Sequence, residues 1–281
     1  AVSLWQNGVN IVLDVWFVIG LNWGVAGVAA GTLIAEISAA LFAFALAVYV
    51  LKRTGGVRAH WARGVLLNAE AVRKTIFVNR DIFIRTLCLV LAFAWFTNQG
   101  AVYGDVTLAA NQVLLQFMLF AGFALDGPAM VAESLVGRAY GARERGAFDD
   151  AVRKTSVVAG GAALVFTAVY LIVGQDIVAL LTASPEIRDE AGRYLLWAAL
   201  APLLLVWPFQ LDGIFIGAVQ ARAMRNTMLI SFALYLAAWA LLANLGNHGL
   251  WVAFWTFFAA RALTMVVLMP RIAASASDVG R

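Results

Sequence analysis

The stretch Asn10–Gly20, NIVLDVWFVIG, places a single carboxylate inside an otherwise apolar segment. Asp14 is the only charged residue among the first 35 of the chain. A carboxylate at the centre of a membrane helix costs about 2.5–3.5 kcal/mol on insertion scales, so such residues are rare and by default functional. The stretch therefore predicts a membrane-spanning helix that contains a functional side chain.

The composition extends this interpretation to the whole chain. Of the 281 residues, 63% are hydrophobic and only 13% are charged, whereas soluble domains average about 45–50% and 25%. The mean hydropathy is +0.86. Helices satisfy all their backbone hydrogen bonds inside a bilayer, so we expect an all-α polytopic membrane protein. Cys88 is the only cysteine, which excludes a disulfide or cysteine-based zinc framework.

Eight segments have the roughly 20 mostly apolar residues that a membrane span needs. Pro128, Pro202 and Pro208 lie within two of them and are the predicted kink points. The eight predicted spans are 4–21, 24–51, 82–103, 107–135, 155–174, 193–220, 226–245 and 249–270.

The basic residues orient these spans. Sixteen of the twenty lysines and arginines lie in alternate connections and in the tail, while the opposite connections hold only Arg188 and Arg193. The positive-inside rule assigns the sixteen to the cytoplasm, together with both ends of the chain, and predicts a multi-pass protein of the inner (plasma) membrane. The basic pI near 9.5 is explained in this way and requires no nucleic-acid partner.

A weak internal repeat suggests the domain organisation. The segments NWGVAGVAAGTLIAE from Asn22 and NHGLWVAFWTFFAAR from Asn247 share Asn-x-Gly, and each has a charge, Glu36 or Arg261, twelve residues after its glycine. Their offset of 225 residues equals six spans, as in transporters built from parallel six-helix repeats. We therefore expect four further helices upstream of Ala1.

The repeat divides the chain into four parts. They are the last two helices of an N-terminal lobe (1–51), a cytoplasmic linker (52–80), a complete six-helix C-terminal lobe (81–271) and a cytoplasmic tail (272–281). Within the linker, residues 65–79 are predicted to form either an interfacial helix or a solvated connection.

Polar residues near Asp14 form the first candidate site. Asn10 lies four residues earlier, on the same helix face, and Thr32 lies early in the next span. A carboxylate with an amide and a hydroxyl is suited to bind a proton or a small cation. The alternative is a polar contact that only holds two helices together.

The later spans contain a second set of ionisable residues. Asp126 and Glu133 are seven residues apart and share a helical face, and Gln210 and Asp212 follow two prolines. These four are candidates for a C-lobe cavity or for structural pairing. Arg261 lies mid-span and requires an acidic partner; we expect Arg261 and its repeat counterpart Glu36 to serve structural charge pairing.

The sequence contains few of the residue patterns that enzyme active sites require. His60 and His248 are the only histidines and cannot build a zinc site. The segment RAYGARERG lacks the glycine spacing and the lysine of a phosphate loop. Asp126 and Asp212 are a pair of membrane aspartates, but their LDG contexts match poorly the Gly-x-Gly-Asp pattern expected of an intramembrane protease. We expect neither an enzyme nor a bound cofactor or metal.

Three segments carry a resemblance to a known family: NIVLD…FVIGLNWGVAGVAAGTLIAE, ANQVLLQFMLFAGFALDGPAMVAESLVGRAYGAR and PFQLDGIFIGAVQARAMRNTM…GNHGLWVAF. They resemble the multidrug and toxic compound extrusion (MATE) family, and within it the DNA-damage-inducible, DinF-like branch. The similarity runs in order along essentially the whole chain. It implies a twelve-helix antiporter of two six-helix lobes, of which this chain resembles helices five to twelve.

The resemblance also implies site residues. In proton-coupled relatives, a helix-one aspartate joins an Asn-x-x-x-Asp pair on helix five, matched by Asn10 and Asp14, and a helix-six threonine, matched by Thr32. Sodium-coupled relatives also use acids on helices seven and ten. Asp212 is a candidate for the latter, but span 82–103 contains no acid, which favours protons over sodium.

The sequence thus predicts an exporter of amphiphilic or cationic organic compounds, driven by inward proton flow. Its expected partners are the lipid bilayer, small organic substrates and the upstream helices of the same protein. One alternative is a flippase for lipid-linked precursors of the same superfamily, which would need a more cationic cavity. Another is a passive channel or structural membrane subunit, which would not depend on a proton gradient.

Overall fold

The computed structural model describes residues 2–53 and 69–276, and every regular element within these ranges is a helix. The all-α prediction is therefore confirmed for the described residues. A π-helical turn, Val15–Gly20, continues the first helix, and a 3₁₀ turn, Ala243–Leu245, joins the last two. The helices are α1 (Val2–Asp14), α2 (Gly24–Arg53), α3 (Ala69–Val102), α4 (Asp105–Ala142), α5 (Arg145–Leu181), α6 (Pro185–Gly217), α7 (Ala221–Leu242) and α8 (Gly246–Ser275).

Six helical stretches are long and apolar enough to cross a membrane. Helices α7 and α8 count together as one of these stretches, and α3 is not among them. A multi-pass membrane protein follows from these lengths and compositions, while the number of eight spans stays a prediction. The six are Val2–Gly20, Gly24–Arg53, Asp105–Ala142, Arg145–Leu181, Pro185–Gly217 and Ala221–Ser275.

The predicted linker and tail are described only in part. Helix α3 begins at Ala69, so residues 69–80 form one continuous helix with the predicted span 82–103. Residues 54–68 of the predicted linker and 277–281 of the predicted tail lie outside the described residues. Pro128, Pro202 and Pro208 all lie inside α4 or α6; the kinks expected there stay a prediction.

The chain divides into two compact units, of which the first comprises residues 1–72. Helix α2 packs against α1 through a stripe of small residues, because every fourth residue on this face is buried glycine or alanine: Gly27, Gly31, Ala35 and Ala39. Small residues let two membrane helices approach closely. A Cβ atom added at Gly31 would lie 2.3 Å from Asp14 Oδ1, so only glycine leaves room for that carboxylate.

The second unit comprises residues 73–281 and holds the larger core. Its helices α4 and α6 touch backbone to backbone. A Cβ atom added at Gly213 would lie 2.1 Å from the carbonyl oxygen of Ala129, and one at Gly217 would lie 2.5 Å from that of Glu133. Both contacts advance by four residues in the same direction, so α4 and α6 run parallel and in fixed register.

A buried amide contact ties α4 to α8. Asn111 Nδ2 donates to Asn247 Oδ1 at 2.7 Å, and Asn247 Nδ2 donates back to Asn111 Oδ1 at 3.0 Å. The indole Nε1 of Trp251 donates to the same Asn111 oxygen at 3.0 Å. All three side chains are buried, so the contact satisfies polar groups that would otherwise be costly in an apolar core.

The turn between α6 and α7 contains a strained residue. Val219 has a φ of 57°, in the left-handed region that β-branched residues rarely adopt. Its amide donates to Ile216 O at 2.9 Å, and the next amide donates to Phe215 O at 2.8 Å. These bonds terminate α6 in the way that a C-terminal glycine usually does.

Candidate functional site

The first candidate site lies where α1 meets α2. Asn10 Nδ2 donates to Thr32 Oγ1 at 3.3 Å and so joins the two helices. Asp14 lies one helical turn further along α1, at the last residue before the π turn, and its carboxylate touches Gly31. The structure therefore brings Asn10, Asp14 and Thr32 together on one helix pair.

The Asp14 carboxylate is incompletely satisfied. Its Oδ1 atom is buried and has no hydrogen-bond partner within residues 2–53 and 69–276. A buried ionised oxygen without a donor is costly, so a bound proton or small cation would supply the interaction that the described residues do not. π-turns in α-helices occur frequently at functional sites, and here one begins directly after Asp14.

The second candidate site is an ion cluster in the larger unit. Asp212 Oδ2 accepts hydrogen bonds from Nη2 of Arg85 and from Nη2 of Arg261, which joins α6 to α3 and α8. The Arg261 side chain is only 5% exposed, so its guanidinium depends on this carboxylate for a counter-charge. In the described part of the chain, Asp212 Oδ1 and Arg85 Nε are buried without a partner.

A cavity of about 420 Å³ opens beside this cluster. Asp126 and Glu133 line it from α4, so the structure brings three of the four predicted C-lobe residues together with Arg261. The walls are largely apolar and include Leu89, Phe93, Leu119, Phe123, Phe209 and Phe258. Ligand sites typically combine such walls with a few placed polar groups.

Gln210 does not belong to this cavity, contrary to the sequence interpretation. Its Nε2 atom donates to Thr155 Oγ1 on α5 at 2.6 Å, and both side chains are buried. The reason is helical geometry, since residues two apart on α6 point to different sides. Gln210 therefore stabilises the packing of α5 on α6.

Glu36 is exposed on α2 and forms no ion pair with any residue of the described ranges. A pairing role for Glu36 thus gains no support, in contrast to Arg261.

A second ion cluster lies one helical turn before Arg85. Asp81 is buried and accepts from Arg80 at 2.9 Å and from Arg225 Nη1 at 2.6 Å. Burial raises the pKa of the Asp81 carboxyl, but the two arginines outweigh this effect and hold its pKa below the ordinary value. The contact fixes the start of α7 against α3.

The sequence of the larger unit matches a known protein family. The family model MatE matches residues 82–242, more than half of the chain. The chain belongs to the MatE family. The resemblance to the MATE family and its DinF-like branch is thereby confirmed, and the members of the family are transporters, not enzymes.

Two curated relatives are similar to the chain over most of its length. It is 39% identical over 268 residues to DNA damage-inducible protein F of Escherichia coli K12, covering 94% of this chain and 57% of the relative. It is 25% identical over 260 residues to Protein DETOXIFICATION 44, chloroplastic, of Arabidopsis thaliana, covering 91% and 47%. The chain thus spans about half the length of these relatives.

One solved structure of similar fold is the Vibrio cholerae MATE transporter VcmN in the bent form. It is 18% identical, with a TM-score of 0.80 over 98% of this chain and 62% of that one. At this identity the likeness establishes the MatE fold alone.

Arg85 is the site residue that sequence reasoning did not assign. Within the predicted span 82–103 it is the only charged residue, and an arginine inside a membrane span requires an acidic partner. That signal was present, but span 82–103 contains no acid and the partner, Asp212, is 127 residues away. Only the fold of this MatE chain brings the two together.

Proposed function

We propose that the protein is a secondary active antiporter that exports amphiphilic or cationic organic compounds in exchange for protons. Membership of the MatE family supports a transporter. The observation that carries the proton coupling is the buried Oδ1 of Asp14, which has no hydrogen-bond partner among the described residues. Asn10 and Thr32, which are hydrogen-bonded to each other nearby, tune the site without carrying the proton.

In this mechanism the proton acts through the packing of α1 on α2. The Asp14 carboxylate lies against Gly31 in a contact that leaves no room for a side chain. Adding or removing a proton changes the charge at this contact, and the protein then favours a different conformation. A ligand can shift two conformations only through a difference in its interaction with them, and Asp14 gives the proton that difference.

A proton is favoured over sodium because the C-lobe carboxylate is already occupied. Asp212 Oδ2 binds two guanidinium groups, and neutralised carboxylates attract a further cation weakly. The family's sodium-type acid on helix seven has no counterpart in span 82–103, which instead contributes Arg85.

The flippase alternative is less well supported by the same cavity. Lipid-linked phosphates would need an excess of cationic side chains. The ionisable lining consists of the acids Asp126, Glu133 and Asp212 against Arg85 and Arg261. A passive channel or structural membrane subunit would be distinguished by transport that does not depend on a proton gradient.

We further propose a location in the cell inner membrane, with both described ends of the chain on the cytoplasmic side. The excess of lysine and arginine in alternate connections supports this orientation. The partners proposed are the bilayer, small organic substrates and further helices of the same protein, and the only coupling ion is the proton.

The experiment is dye efflux from proteoliposomes that contain the full-length protein under an imposed pH gradient. Asp14→Asn preserves the shape of the side chain but removes the titrating group. We expect gradient-driven efflux to fall to background while insertion and substrate binding persist. Asn10→Ala and Thr32→Ala should weaken efflux or shift its pH dependence without abolishing it.

Asp149→Asn is the matched control, because that carboxylate is exposed and pairs with Arg145 on the same helix, α5. It should transport like the wild type. Undiminished gradient-driven efflux by Asp14→Asn would overturn the proposal and leave Asp14 as a helix-packing residue.

A further inference from the structure

The ion cluster of the larger unit has unused positive charge. Two guanidiniums share a single carboxylate oxygen of Asp212, so Arg85, Arg261 and Asp212 carry a net formal charge of +1. Each guanidinium has five N–H donors, yet Arg85 Nε is buried and donates to no described residue. Arginine forks suit planar anions such as carboxylates and sulfonates.

Unused negative charge faces the same cavity from α4. Asp126 and Glu133 form no hydrogen bond or ion pair within the described ranges. Seven residues separate them, which puts them on one face and about 10 Å apart along the helix. Asp126 interacts electrostatically with both Arg85 and Asp212, so it is the acid next to the cluster.

Two simple ligand classes match the charges of this cavity only in part. A ligand with only an ammonium group would satisfy Asp126 but leave the arginines with their excess charge. A ligand with only an anionic group would meet Asp126 and Glu133 with like charge, which is unfavourable at close range. A ligand that carries both charges satisfies both sides of the cavity.

We propose that this cavity binds a zwitterionic amphiphile, with its carboxylate or sulfonate on Arg85 and Arg261, its ammonium on Asp126, and its apolar body between the phenylalanines. The cavity volume of about 420 Å³ falls within the range of sites for drug-sized ligands. Arg85 thereby determines the preference of the cavity for ligands that carry an anionic group. Binding of this ligand does not depend on the proposed transport function; only its export would rest on that function.

The test uses three matched fluorescent probes on the 281-residue chain in lipid nanodiscs. Nε-dansyl-lysine carries both charges, dansylcadaverine lacks only its carboxylate, and 6-(dansylamino)hexanoic acid lacks only its ammonium. We expect the wild type to bind the zwitterion on the order of tenfold more tightly than either singly charged probe, as charge-assisted hydrogen bonds on both sides would give.

Substitutions at Arg85 and Asp126 should each reduce this preference, in favour of different singly charged probes. Arg85→Gln should weaken binding of the zwitterion and leave that of dansylcadaverine unchanged or tighter, while Arg85→Lys retains part of the preference. Asp126→Asn should weaken the zwitterion and improve the anionic probe. Asp105→Asn is the control, since it removes a carboxylate of α4 that does not line the cavity.

The proposal is overturned if the wild type binds dansylcadaverine at least as tightly as the zwitterion. It is equally overturned if Arg85→Gln and Asp126→Asn alter the affinity of all three probes by the same factor. If Arg85→Gln does not fold, the wild-type preference and Asp126→Asn still decide. Binding is measured without a proton gradient, and the Asp14→Asn protein should retain binding of the zwitterion. A negative result for binding is therefore distinct from a negative result for proton-coupled efflux.

Discussion

Replacing Gly213 by alanine is expected to force α4 and α6 apart beside the ion cluster. The new Cβ would lie 2.1 Å from the carbonyl oxygen and 2.9 Å from the carbonyl carbon of Ala129. Both obstacles are backbone atoms, which cannot rotate away as a side chain can. The helices would have to separate by about 1 Å to restore an ordinary contact.

The magnitude follows from two opposing contributions. Overpacking a tight contact costs about 1–3 kcal/mol, and replacing glycine by alanine inside a helix returns about 0.5–1 kcal/mol. The free energy of unfolding should therefore fall by about 1–2 kcal/mol. Separation of the helices would also move the neighbouring Asp212 relative to Arg85 and Arg261.

The assay is unfolding by SDS titration in mixed micelles, followed by the fluorescence of the ten tryptophans. Gly161→Ala on α5 is the matched control, because a Cβ atom there meets nothing within 4 Å. It should be as stable as the wild type or slightly more stable. Equal stability of the Gly213→Ala and Gly161→Ala proteins would refute the close packing of α4 on α6.

Three further changes test other features. Asn111→Leu should lower the free energy of unfolding by about 1–3 kcal/mol, because it strands buried donors of Asn247 and Trp251; an unchanged SDS midpoint would contradict the amide contact. Because the pKa of Asp81 is lowered, its ion pair should stabilise the protein at neutral pH and lose this effect as pH falls below about 4. The difference in the free energy of unfolding between wild type and Arg225→Gln should therefore shrink as the pH is lowered from 7 to 3. A constant difference would contradict a stabilising ion pair between Asp81 and Arg225. Val219→Gly should raise the free energy of unfolding by about 1 kcal/mol by removing left-handed strain, and a decrease would show that the valine side chain contributes more than the strain costs.

Much of the fold was predictable, because a membrane-spanning helix needs about 20 mostly apolar residues and such segments can be recognised in the sequence. Four of the eight predicted spans, 24–51, 107–135, 155–174 and 249–270, lie wholly within one helix, and the other four run one to three residues past a helix end. The Asp14 site was also predictable from local spacing, since Asn10 is one turn away on the same helix and Thr32 follows after a short connection.

The ion cluster was predictable only in part. Burial of Arg261 implied an acidic partner, but spacing alone did not choose among Asp126, Glu133 and Asp212. The choice depends on the register of α4 and α6, which backbone contacts at Gly213 and Gly217 determine. Such contacts join residues some 84 positions apart, and a single sequence contains no local signal for them.

Helix α8 is anchored at two positions along its length by different kinds of interaction. Asn247 anchors its first turn to α4 through amide hydrogen bonds, and Arg261, fourteen residues later, anchors it to α6 through a shared carboxylate. These anchors are about 21 Å apart along the helix axis. A helix restrained at two such distant points can neither slide nor rotate without breaking both, so a displacement at one end of α8 should reach the other end almost undiminished, as in a rigid rod.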